Sequence, residues 1–501
     1  MDVVTTNREL LLLDVKLKPP LGSGEPLVVN SPWDGSEVAR VATCTLDEAD
    51  RALDRARVAL GTWRWTPAWK RALILEKTSH LIEDNAEKIA RIIALEGGKP
   101  LKDARVEAKR GASTFRWASE EAKRTGGEIV QMDADASGDH RFGWTIREPR
   151  GVVLAISPFN FPLNLVAHKV APALAAANVV VLKPASTTPL TALFLSELLE
   201  EAGLPDDVLQ VVVGPGATLG TKLVKDERVN MVSFTGSPPV GRQIAGDAGM
   251  KMVTLELGNN SATIVDDDAN LDLAVQRVVA GGFANSGQVC ISVQRVVVHE
   301  NVYEEFMAEL VPAVESLKVG DPLEDTTDVA SLISASEAER VKSWVQEALD
   351  QGATLATGGV AVDGRLRPTV LTDVKPEMKV CAREVFGPVL SILKARDLYE
   401  AIDISNDSEM GLQAGVFTRD INKALYAAKH LEVGGVMINE VPTFRVDHMP
   451  YGGIKGSGMG REGVKYAIHE MTELKMVTIR EMDWETGGSP LDARRRDGMG
   501  P

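Results

Sequence analysis

The chain has 501 residues, a formal net charge of −16 at pH 7 and a pI near 5.1. This length exceeds what one hydrophobic core usually supports, so two or three structural units are expected. The acidic balance argues against non-specific nucleic-acid binding, and the apolar runs are too short to span a bilayer.

The first third of the chain is predicted to be mostly helical. Residues 46–63 begin with an acidic turn and continue with apolar residues at helical spacing. Residues 71–100 repeat that spacing and are predicted to form one helix that stops at Gly97 and Gly98. Residues 105–127 form a third predicted helix, which ends at a glycine pair.

From Gly151 onwards, predicted strands alternate with single helices. The strands are apolar throughout, which indicates burial on both faces. They cover residues 151–157, 179–185, 208–214, 229–236 and 251–258. A second series of such units lies between Leu271 and Met437. The alternation predicts an α/β fold with doubly wound parallel sheets, in which the carboxyl ends of the strands line one ligand-binding edge.

Two further segments have strand character but lie outside both series. They are residues 126–151 and residues 475–482, which read KMVTIREM. We expect them to form a small separate β element. Because exposed strand edges tend to pair with other strands, this element is a candidate for subunit association.

Two glycine-rich stretches resemble nucleotide-binding loops. Residues 458–463, GMGREG, match GxGxxG but follow no apolar strand, which favours a plain tight loop. Residues 236–243, GSPPVGRQ, lack the Lys and the Ser or Thr of a phosphate loop, so nucleotide hydrolysis is unsupported. They nevertheless join a strand to a helix start, where Gly236 and Ser237 are candidates to bind a phosphate group; a purely structural role is equally compatible.

The three cysteines, at positions 44, 290 and 381, give neither a disulfide framework nor a CxxC metal pattern. They predict a reducing, cytoplasmic environment and no metal site, and the first residues show no cleavable targeting pattern. Cys44 and Cys381 have no acid–base groups near them in sequence. For all three, an inert packing role is the common alternative.

Cys290 differs because other chemistry-bearing residues converge on the same predicted edge. It follows the small, flexible stretch NSGQV, while Asn160 lies just past one strand and Glu256 ends another. A thiolate nucleophile, a carboxylate base and a side-chain amide donor can together carry out covalent acyl chemistry.

Seven motifs occur in an order and spacing that resemble the aldehyde dehydrogenase superfamily over residues 26–476. They are PFNFP, LKPAS, FTGS, LELG, GQVC, EVFGP and MPYGGIKGSGMGREG. The resemblance implies that the Cys290 sulfur forms a thiohemiacetal, which becomes a thioester when hydride passes to a nicotinamide. Glu256 then activates the hydrolytic water, Asn160 and the Cys290 amide form the oxyanion hole, and Lys169 assists proton relay.

The same resemblance implies NAD or NADP as the cofactor. The positions that match cofactor-binding residues of the family are Ile156, Ser157, Pro158, Phe159, Lys183, Ser186, Gly216, Phe234, Gly236, Ser237, Leu257, Glu384 and Phe386.

Two positions depart from the usual pattern of the family. Asn259 replaces the second glycine after ELG, and we expect a local backbone adjustment there. Many NAD-preferring members carry Glu at the ribose position, where this chain has Ser186. Because Ser186 does not repel a 2′-phosphate and Lys183 can pair with one, NADP is permitted, and NAD is not excluded.

The resemblance also suggests a class of substrate. Val289 is not the arginine of some phosphate- or phosphonate-using relatives, and His168 stands where succinate-semialdehyde dehydrogenases usually carry Arg. The surrounding residues are closer to the lactaldehyde, glyceraldehyde-phosphate and phosphonoacetaldehyde dehydrogenase branches. Arg116, His168 and Arg445 are predicted to converge on a hydroxyl or anion of a small aliphatic aldehyde; surface and packing roles are the alternative.

The sequence is also compatible with other functions. They are a succinate-semialdehyde-type dehydrogenase, a CoA-acylating enzyme, and a catalytically silent binding protein on the same fold. Glu256 argues against the second, and the three intact catalytic positions argue against the third. A homodimer or homotetramer is expected, with no nucleic-acid or membrane partner.

The resemblance implies an approximate domain division. Residues 1–129 and 150–258 form the NAD(P)-binding domain, and residues 259–468 form the catalytic domain. Residues 130–149 and 469–490 form the oligomerisation β element, followed by a polar tail over residues 491–501.

Overall fold

The computed structural model of the chain describes residues 4–6, 22–260, 262–360 and 365–480. The strands are β1 (Val4–Thr6), β2 (Pro26–Asn30), β3 (Glu37–Ala42), β4 (Ile129–Val130), β5 (Arg141–Pro149), β6 (Val152–Ile156), β7 (Val179–Lys183), β8 (Leu209–Val211), β9 (Met231–Thr235), β10 (Met252–Glu256), β11 (Ala262–Val265), β12 (Arg295–His299), β13 (Thr354–Val360), β14 (Leu366–Thr372), β15 (Val389–Ala395), β16 (Met410–Gly411), β17 (Gln413–Phe417), β18 (Gly435–Ile438), β19 (Ile454–Lys455), β20 (Gly458–Met459) and β21 (Thr472–Arg480).

The α-helices alternate with many of these strands. They are α1 (Leu46–Trp63), α2 (Ala68–Asp84), α3 (Ala86–Gly97), α4 (Leu101–Ala122), α5 (Asn164–Ala175), α6 (Leu190–Glu201), α7 (Thr221–Lys225), α8 (Pro238–Asp247), α9 (Leu271–Phe283), α10 (Tyr303–Glu315), α11 (Ala335–Asp350), α12 (Lys379–Ala382), α13 (Leu398–Asn406), α14 (Ile421–His430) and α15 (Val464–Glu470). A search of the described residues finds no helix with the length and apolarity needed to cross a bilayer.

The first large sheet has six strands in the order β20-β10-β9-β6-β7-β8. The pairs from β10 to β8 are parallel, and β20 adds an antiparallel edge. Every residue of β6, β7 and β9 is buried, which explains their continuous apolar sequences. The predicted doubly wound sheet is confirmed.

The second large sheet has seven strands in the order β13-β14-β15-β12-β11-β17-β18. It is parallel except at the β13 edge. Along β12, Val297 joins one core cluster while Val296 and Val298 join another. Because successive side chains of a strand point to opposite faces, both faces of this sheet are buried.

The predicted separate β element is a three-stranded sheet in the order β21-β5-β4. β21 pairs with β5 in an antiparallel register that runs from Thr472 opposite Pro149 to Arg480 opposite Arg141. The predicted extension to residue 490 and the polar tail over 491–501 lie outside the described residues.

The helix predicted over residues 71–100 is two helices, so that prediction is wrong in its continuity. α2 ends before Asn85, whose φ and ψ of −103° and 14° leave the helical region, and α3 begins after it. The Asn85 side-chain amide donates to the Leu81 carbonyl at 2.8 Å. Side-chain amides that bond the backbone in this way compete with the helix and favour its end.

Residues 458–471 pack with the first sheet, although the predicted boundary grouped most of them with the second. Gly458 and Met459 form β20, paired with Glu256 and Leu255, so this segment is not the plain loop that its sequence favoured. Val464 of the following helix belongs to the core cluster of the first sheet. The pairing partner is distant in sequence, which is why local pattern does not indicate it.

Candidate active site

The carboxyl ends of neighbouring strands in the first sheet lie side by side. Ile156 at the end of β6 pairs with Lys183 at the end of β7 and with Phe234 of β9. Glu256, the last residue of β10, pairs with Thr235. The predicted edge therefore exists, and it brings together residues that are far apart in sequence.

Several predicted cofactor positions follow directly from these strand ends. Ser157, Pro158 and Phe159 come after β6, and Leu257 comes after β10. The Leu257 N–H donates to the Ser457 carbonyl at 2.9 Å, which joins this edge to the segment before β20.

Lys183 and Ser186 lie together at the β7 end of the edge. The Lys183 ammonium is buried and donates to the Pro184 carbonyl at 3.2 Å, and its burial lowers the pKa to about 8. The Ser186 hydroxyl donates to the Gly214 carbonyl at 2.9 Å. At Gly216, the position that a side chain would take has no described atom within 4 Å, so there is open space beside the edge.

The start of α8 presents groups suited to an anion. Ser237 precedes the helix without capping it through its side chain. The Ser157 hydroxyl is buried and has no hydrogen-bond partner among the residues that the structure describes. The first two helical residues, Pro238 and Pro239, carry no N–H, so the groups that fit the pyrophosphate of a dinucleotide are the Ser157 and Ser237 hydroxyls near the positive end of the helix dipole.

Glu384 and Phe386 lie on the opposite side, on the loop before β15. Glu384 Oε1 accepts from the Asn259 backbone N–H at 3.0 Å, and burial raises the Glu384 pKa to about 7. A side chain at Gly258 would place its Cβ 2.4 Å from Glu384 Oε2, so glycine permits this approach. The Phe386 ring meets Phe159 edge-on, with centroids 5.9 Å apart. These groups border the space between the two sheets.

Cys290 follows a tight turn formed by the small residues Asn285, Ser286 and Gly287. Asn285 and Ser286 have φ values of 47° and 57°, in the left-handed region where non-glycine residues are uncommon. Gly287 has a φ of 75°, and a Cβ there would lie 2.1 Å from the Gly387 carbonyl oxygen. The turn therefore needs a glycine, because it packs directly on the loop that carries Glu384.

Asn160 is fixed against the same turn. Its Nδ2 donates to the Gln288 carbonyl at 2.9 Å, and the Asn285 side chain donates to the Asn160 carbonyl at 3.2 Å. Asn160 is buried, and the second hydrogen on its amide nitrogen remains to be used. This hydrogen bond holds the Asn160 amide against Gln288, which lies two residues before Cys290 in the chain.

The Cys290 sulfur lies 2.9 Å from the hydroxyl of Tyr451. Burial raises the pKa of Cys290 to about 11, so the resting sulfur carries its proton at neutral pH. Cys44 and Cys381 are buried elsewhere, and neither is in a disulfide. The sequence motif MPYGG contained Tyr451, but nothing in its spacing indicated contact with the cysteine.

Glu256 is a buried carboxyl group with unusual surroundings. Neither of its carboxylate oxygens has a hydrogen-bond partner within the described part of the chain. Burial first, and the negative charge of Glu462 second, raise its pKa well above the ordinary value of 4.5. An elevated pKa suits a general base that works near neutral pH.

Lys169 belongs to a buried charge network behind Glu256. Its ammonium donates to Glu462 at 2.8 Å and to the Thr235 hydroxyl at 2.7 Å. Arg445 donates to the other carboxylate oxygen of Glu462 at 3.1 Å. Although burial acts in the opposite direction, these two cations lower the pKa of Glu462. Glu462 was missed at the sequence level, although it lies in the quoted motif GMGREG.

His168 faces a second acidic residue, Asp447. His168 Nε2 is 3.0 Å from Asp447 Oδ1, which also accepts from Arg110 at 2.9 Å. Burial first, and the charge of Arg445 second, lower the pKa of His168 to about 4, so the imidazole is neutral at pH 7 and donates through Nε2. Its Nδ1 has no hydrogen-bond partner among the described residues.

A cavity of about 300 Å³ opens beside these groups. Its lining includes Phe161, Asn285 and four basic side chains, which are Lys99, Arg110, Arg277 and Arg445. The guanidinium Nε atoms of Arg110 and Arg445 are buried and have no hydrogen-bond acceptor in the described ranges. Each of these two arginines therefore has one N–H that its salt bridge, to Asp447 or to Glu462, leaves unused.

Arg116 is not part of this group, so its predicted convergence with His168 and Arg445 is wrong. Its side chain is 62% exposed and reaches Glu83 at 3.8 Å. It lies on α4 like Arg110, but six residues further along, which places it on a different face of the helix. Arg110, rather than Arg116, lies on the face of α4 that contacts Asp447, the partner of His168.

A buried ion pair supports the start of α5, which carries His168 and Lys169. Glu107 Oε1 accepts from the Leu163 and Asn164 backbone N–H groups at 2.9 and 3.1 Å, and its other oxygen pairs with Lys99.

Replacement of Glu107 by glutamine is expected to destabilise the protein strongly. Because the change leaves the Lys99 ammonium buried without its counter-charge, the free energy of unfolding should fall by about 3 kcal/mol or more. Chemical denaturation of both proteins measures the loss. Glu87→Gln, which removes an exposed partner of Arg105, is the control and should cost less than about 1 kcal/mol. Equal losses in the two variants would contradict the assignment.

Comparison with known proteins identifies relatives over almost the whole chain. The model of the aldehyde dehydrogenase family matches residues 21–477. A 3-sulfolactaldehyde dehydrogenase of Priestia megaterium is 46% identical over 457 residues, which are 91% of this chain and 95% of that protein.

Two solved structures share the fold. Aldehyde dehydrogenase 21 from Physcomitrella patens, in complex with the reaction product succinate, matches with a TM-score of 0.91 and 42% identity over 93% of this chain and 97% of that one. The glyceraldehyde-3-phosphate dehydrogenase GapN from Methanocaldococcus jannaschii, complexed with NADP, matches with a TM-score of 0.88 and 41% identity over 91% of this chain and 99% of that one. The chain therefore belongs to the aldehyde dehydrogenase family, as an NAD(P)-dependent oxidoreductase.

Proposed function

We propose that the chain oxidises a small aliphatic aldehyde that carries a hydroxyl or an anionic group to the corresponding carboxylic acid. The observation that carries this proposal is the pair of free, buried guanidinium Nε atoms of Arg110 and Arg445 in the cavity. Guanidinium groups favour carboxylate, sulfonate and phosphate oxygens. The names of the relatives, which act on 3-sulfolactaldehyde and glyceraldehyde 3-phosphate, support the same class.

Cys290, Asn160 and Glu256 are assigned the covalent chemistry. The Cys290 sulfur attacks the carbonyl carbon, and the Asn160 amide with the Cys290 backbone N–H binds the developing oxyanion. Bound NAD(P) supplies the hydride acceptor. Glu256 removes a proton from the water that attacks the thioester. The buried ion pair between Lys169 and Glu462 neutralises the charge of Glu462 near Glu256.

The cofactor residues support either NAD or NADP. Lys183 would face the adenosine ribose and can pair with a 2′-phosphate, while Ser186 presents no charge that repels one. Gly236, Ser237 and Ser157 would hold the pyrophosphate.

The small β sheet and the cysteines support two further assignments. β21 carries exposed Leu474, Met476 and Ile479, and we assign the sheet to a homodimeric or homotetrameric contact. None of the three cysteines, at positions 44, 290 and 381, is in a disulfide, which supports residence in the reducing cytoplasm.

A succinate-semialdehyde-type activity is the second candidate. The relative from Physcomitrella patens is complexed with succinate, the product of that reaction, and Arg445 and Arg110 suit a terminal carboxylate as well as they suit a sulfonate. The two candidates differ in chain length and in the hydroxyl next to the aldehyde.

A panel of aldehydes tests both candidates, with NADPH or NADH formation as the signal. The panel contains lactaldehyde, 3-sulfolactaldehyde, glyceraldehyde 3-phosphate, succinate semialdehyde and propanal, each with NADP and with NAD. We expect the highest kcat/KM for a hydroxylated anionic aldehyde. A preference for propanal over lactaldehyde and over every anionic member would overturn the proposal, and no turnover at all would favour the catalytically silent alternative.

Arg110→Met tests the anion site directly. Because the unused Nε–H of Arg110 is lost with its guanidinium, KM for the preferred anionic aldehyde should rise by about tenfold or more, while KM for propanal should change by less than about threefold. Arg116→Met removes an exposed arginine from the same helix and is the matched control. If both variants raise KM equally, or if Arg110→Met affects propanal as strongly, the assignment of Arg110 fails.

A further inference from the structure

The Cys290 sulfur has a tyrosine hydroxyl beside it. Sγ of Cys290 and Oη of Tyr451 are 2.9 Å apart, although 161 residues separate them in the chain. Within the described ranges, this hydroxyl has no other hydrogen-bond partner. The contact is therefore dedicated to the sulfur.

The Tyr451 ring is held in place on several sides. Its backbone exchanges two hydrogen bonds with Glu462, at 3.1 and 2.7 Å. The ring packs in an apolar cluster that includes Val289 and Ile291, and the guanidinium carbon of Arg445 lies 3.6 Å from its centroid. Because a phenylalanine ring would keep all of these contacts, the effect of the hydroxyl can be separated from that of packing.

The sulfur is surrounded by groups that act on its ionisation in opposite directions. Burial is the largest influence and raises the Cys290 pKa. The Tyr451 hydrogen bond and the positive charge of Arg445 lower that pKa, while the negative charges of Glu384 and Glu256 raise it. Two nearby carboxyl groups thus disfavour the thiolate, and direct contact with a donor is the strongest opposing influence.

The hydrogen bond has a defined direction once the thiol is ionised. A thiolate has no proton to donate, so the Tyr451 hydroxyl must be the donor. Burial and the adjacent sulfur raise the Tyr451 pKa well above its ordinary value, so the phenol keeps its proton. The Arg445 cation over the ring face draws electron density from the phenol, which strengthens its O–H as a donor.

We propose that Tyr451 is a catalytic residue whose hydroxyl donates a hydrogen bond to the Cys290 thiolate and stabilises it before the sulfur attacks the aldehyde. The proposal rests on the nucleophilic role of Cys290 proposed above. The Cys290 thiol loses its proton to solvent before the attack, and the Tyr451 hydroxyl keeps its own proton throughout. When the new carbon–sulfur bond forms, the negative charge passes to the carbonyl oxygen, and the hydrogen bond to sulfur weakens.

The test is the pH dependence of Cys290 alkylation by iodoacetamide in the full-length protein, with and without NADP, followed by mass spectrometry of the peptide that contains Cys290. For Tyr451→Phe, we expect the apparent pKa of alkylation to rise by about one unit or more. The alkylation rate at neutral pH should fall by about tenfold or more, and the rates should converge at high pH where the thiol is fully ionised in both proteins. Tyr303→Phe, which removes the hydroxyl of another buried tyrosine, should leave the profile unchanged.

The readout distinguishes this proposal from the proposed function. Alkylation reports on the sulfur itself, so a failure to find aldehyde turnover leaves the result interpretable. An unchanged alkylation profile in folded Tyr451→Phe, as judged by circular dichroism, would overturn the proposal. If that variant does not fold, Tyr451→Leu takes its place, and its apparent pKa must rise at least as far for the proposal to stand.

Discussion

Replacement of Cys290 by alanine is expected to lower kcat/KM for aldehyde oxidation by at least about 10⁴-fold, because the covalent route needs a sulfur nucleophile. The change removes one atom from a side chain that ends at the Tyr451 hydroxyl. It leaves the Asn285–Gly287 turn and the Asn160 hydrogen bonds to it in place. The fold and the binding edge should therefore persist, and the NADP dissociation constant should change by less than about threefold.

Initial rates and a separate titration of NADP binding measure these two quantities. Cys381→Ala is the control, since this buried cysteine lies among the apolar residues of the second sheet and should retain activity. A Cys290→Ala protein with more than about one per cent of the natural activity would refute the nucleophile assignment. Equal loss in the two alanine variants would point to instability rather than chemistry.

The parallel-sheet part of the fold is predictable because its signal is local. Strands such as Val179–Lys183 are apolar on both faces, and this leaves few alternatives to a buried parallel strand. Once those strands are placed, the geometry of a parallel sheet brings the carboxyl ends of its strands together, which puts Glu256 on the same edge as Lys183. The position of these residues follows from topology rather than from any side-chain contact.

The contacts that tune the site are not predictable in the same way. Tyr451 reaches Cys290 across a long sequence separation, and the choice of that partner depends on how the segment after Val441 folds back on itself, where the Tyr451 backbone pairs with that of Glu462. Arg110 and Arg116 lie on the same helix and differ in the face on which they project. The sequence does not show which face contacts the site, because that depends on what packs against α4. The break at Asn85 depends on one side-chain hydrogen bond within an otherwise helical pattern.

The surroundings of Glu256 make it the residue whose replacement should separate the two halves of the reaction. It closes β10 and pairs with Gly458 on one side and Thr235 on the other, so its backbone is fixed in the sheet. Its carboxylate is buried and accepts no hydrogen bond within the described part of the chain. A free, buried carboxylate with a raised pKa is poised to accept a proton from water rather than to bind a structural partner.

We expect Glu256→Gln to slow steady-state turnover by about 10²- to 10⁴-fold while leaving the initial burst of NADPH close to one per active site. The amide keeps the shape of the side chain but cannot take a proton, so the thioester forms and then accumulates. Rapid-mixing absorbance measures the burst, and mass spectrometry detects the acylated Cys290. Glu304→Gln, at an exposed position on α10, is the control and should leave both phases unchanged.

The pH dependence of the steady-state rate tests the assignment of Glu256 as the general base independently. A general base must be deprotonated, so the steady-state rate of the natural enzyme should rise with pH as it passes the Glu256 pKa, which lies well above 4.5. In Glu256→Gln this rising limb should disappear, while the ionisation of Cys290, read from alkylation, should still appear. If the burst itself were lost with the steady-state rate, Glu256 would act before hydride transfer, as the base that takes the Cys290 proton. The negative charge of Glu256 raises the Cys290 pKa, so a neutral residue at this position should favour the thiolate. A burst at least as fast as that of the natural enzyme would therefore assign Glu256 to hydrolysis of the thioester.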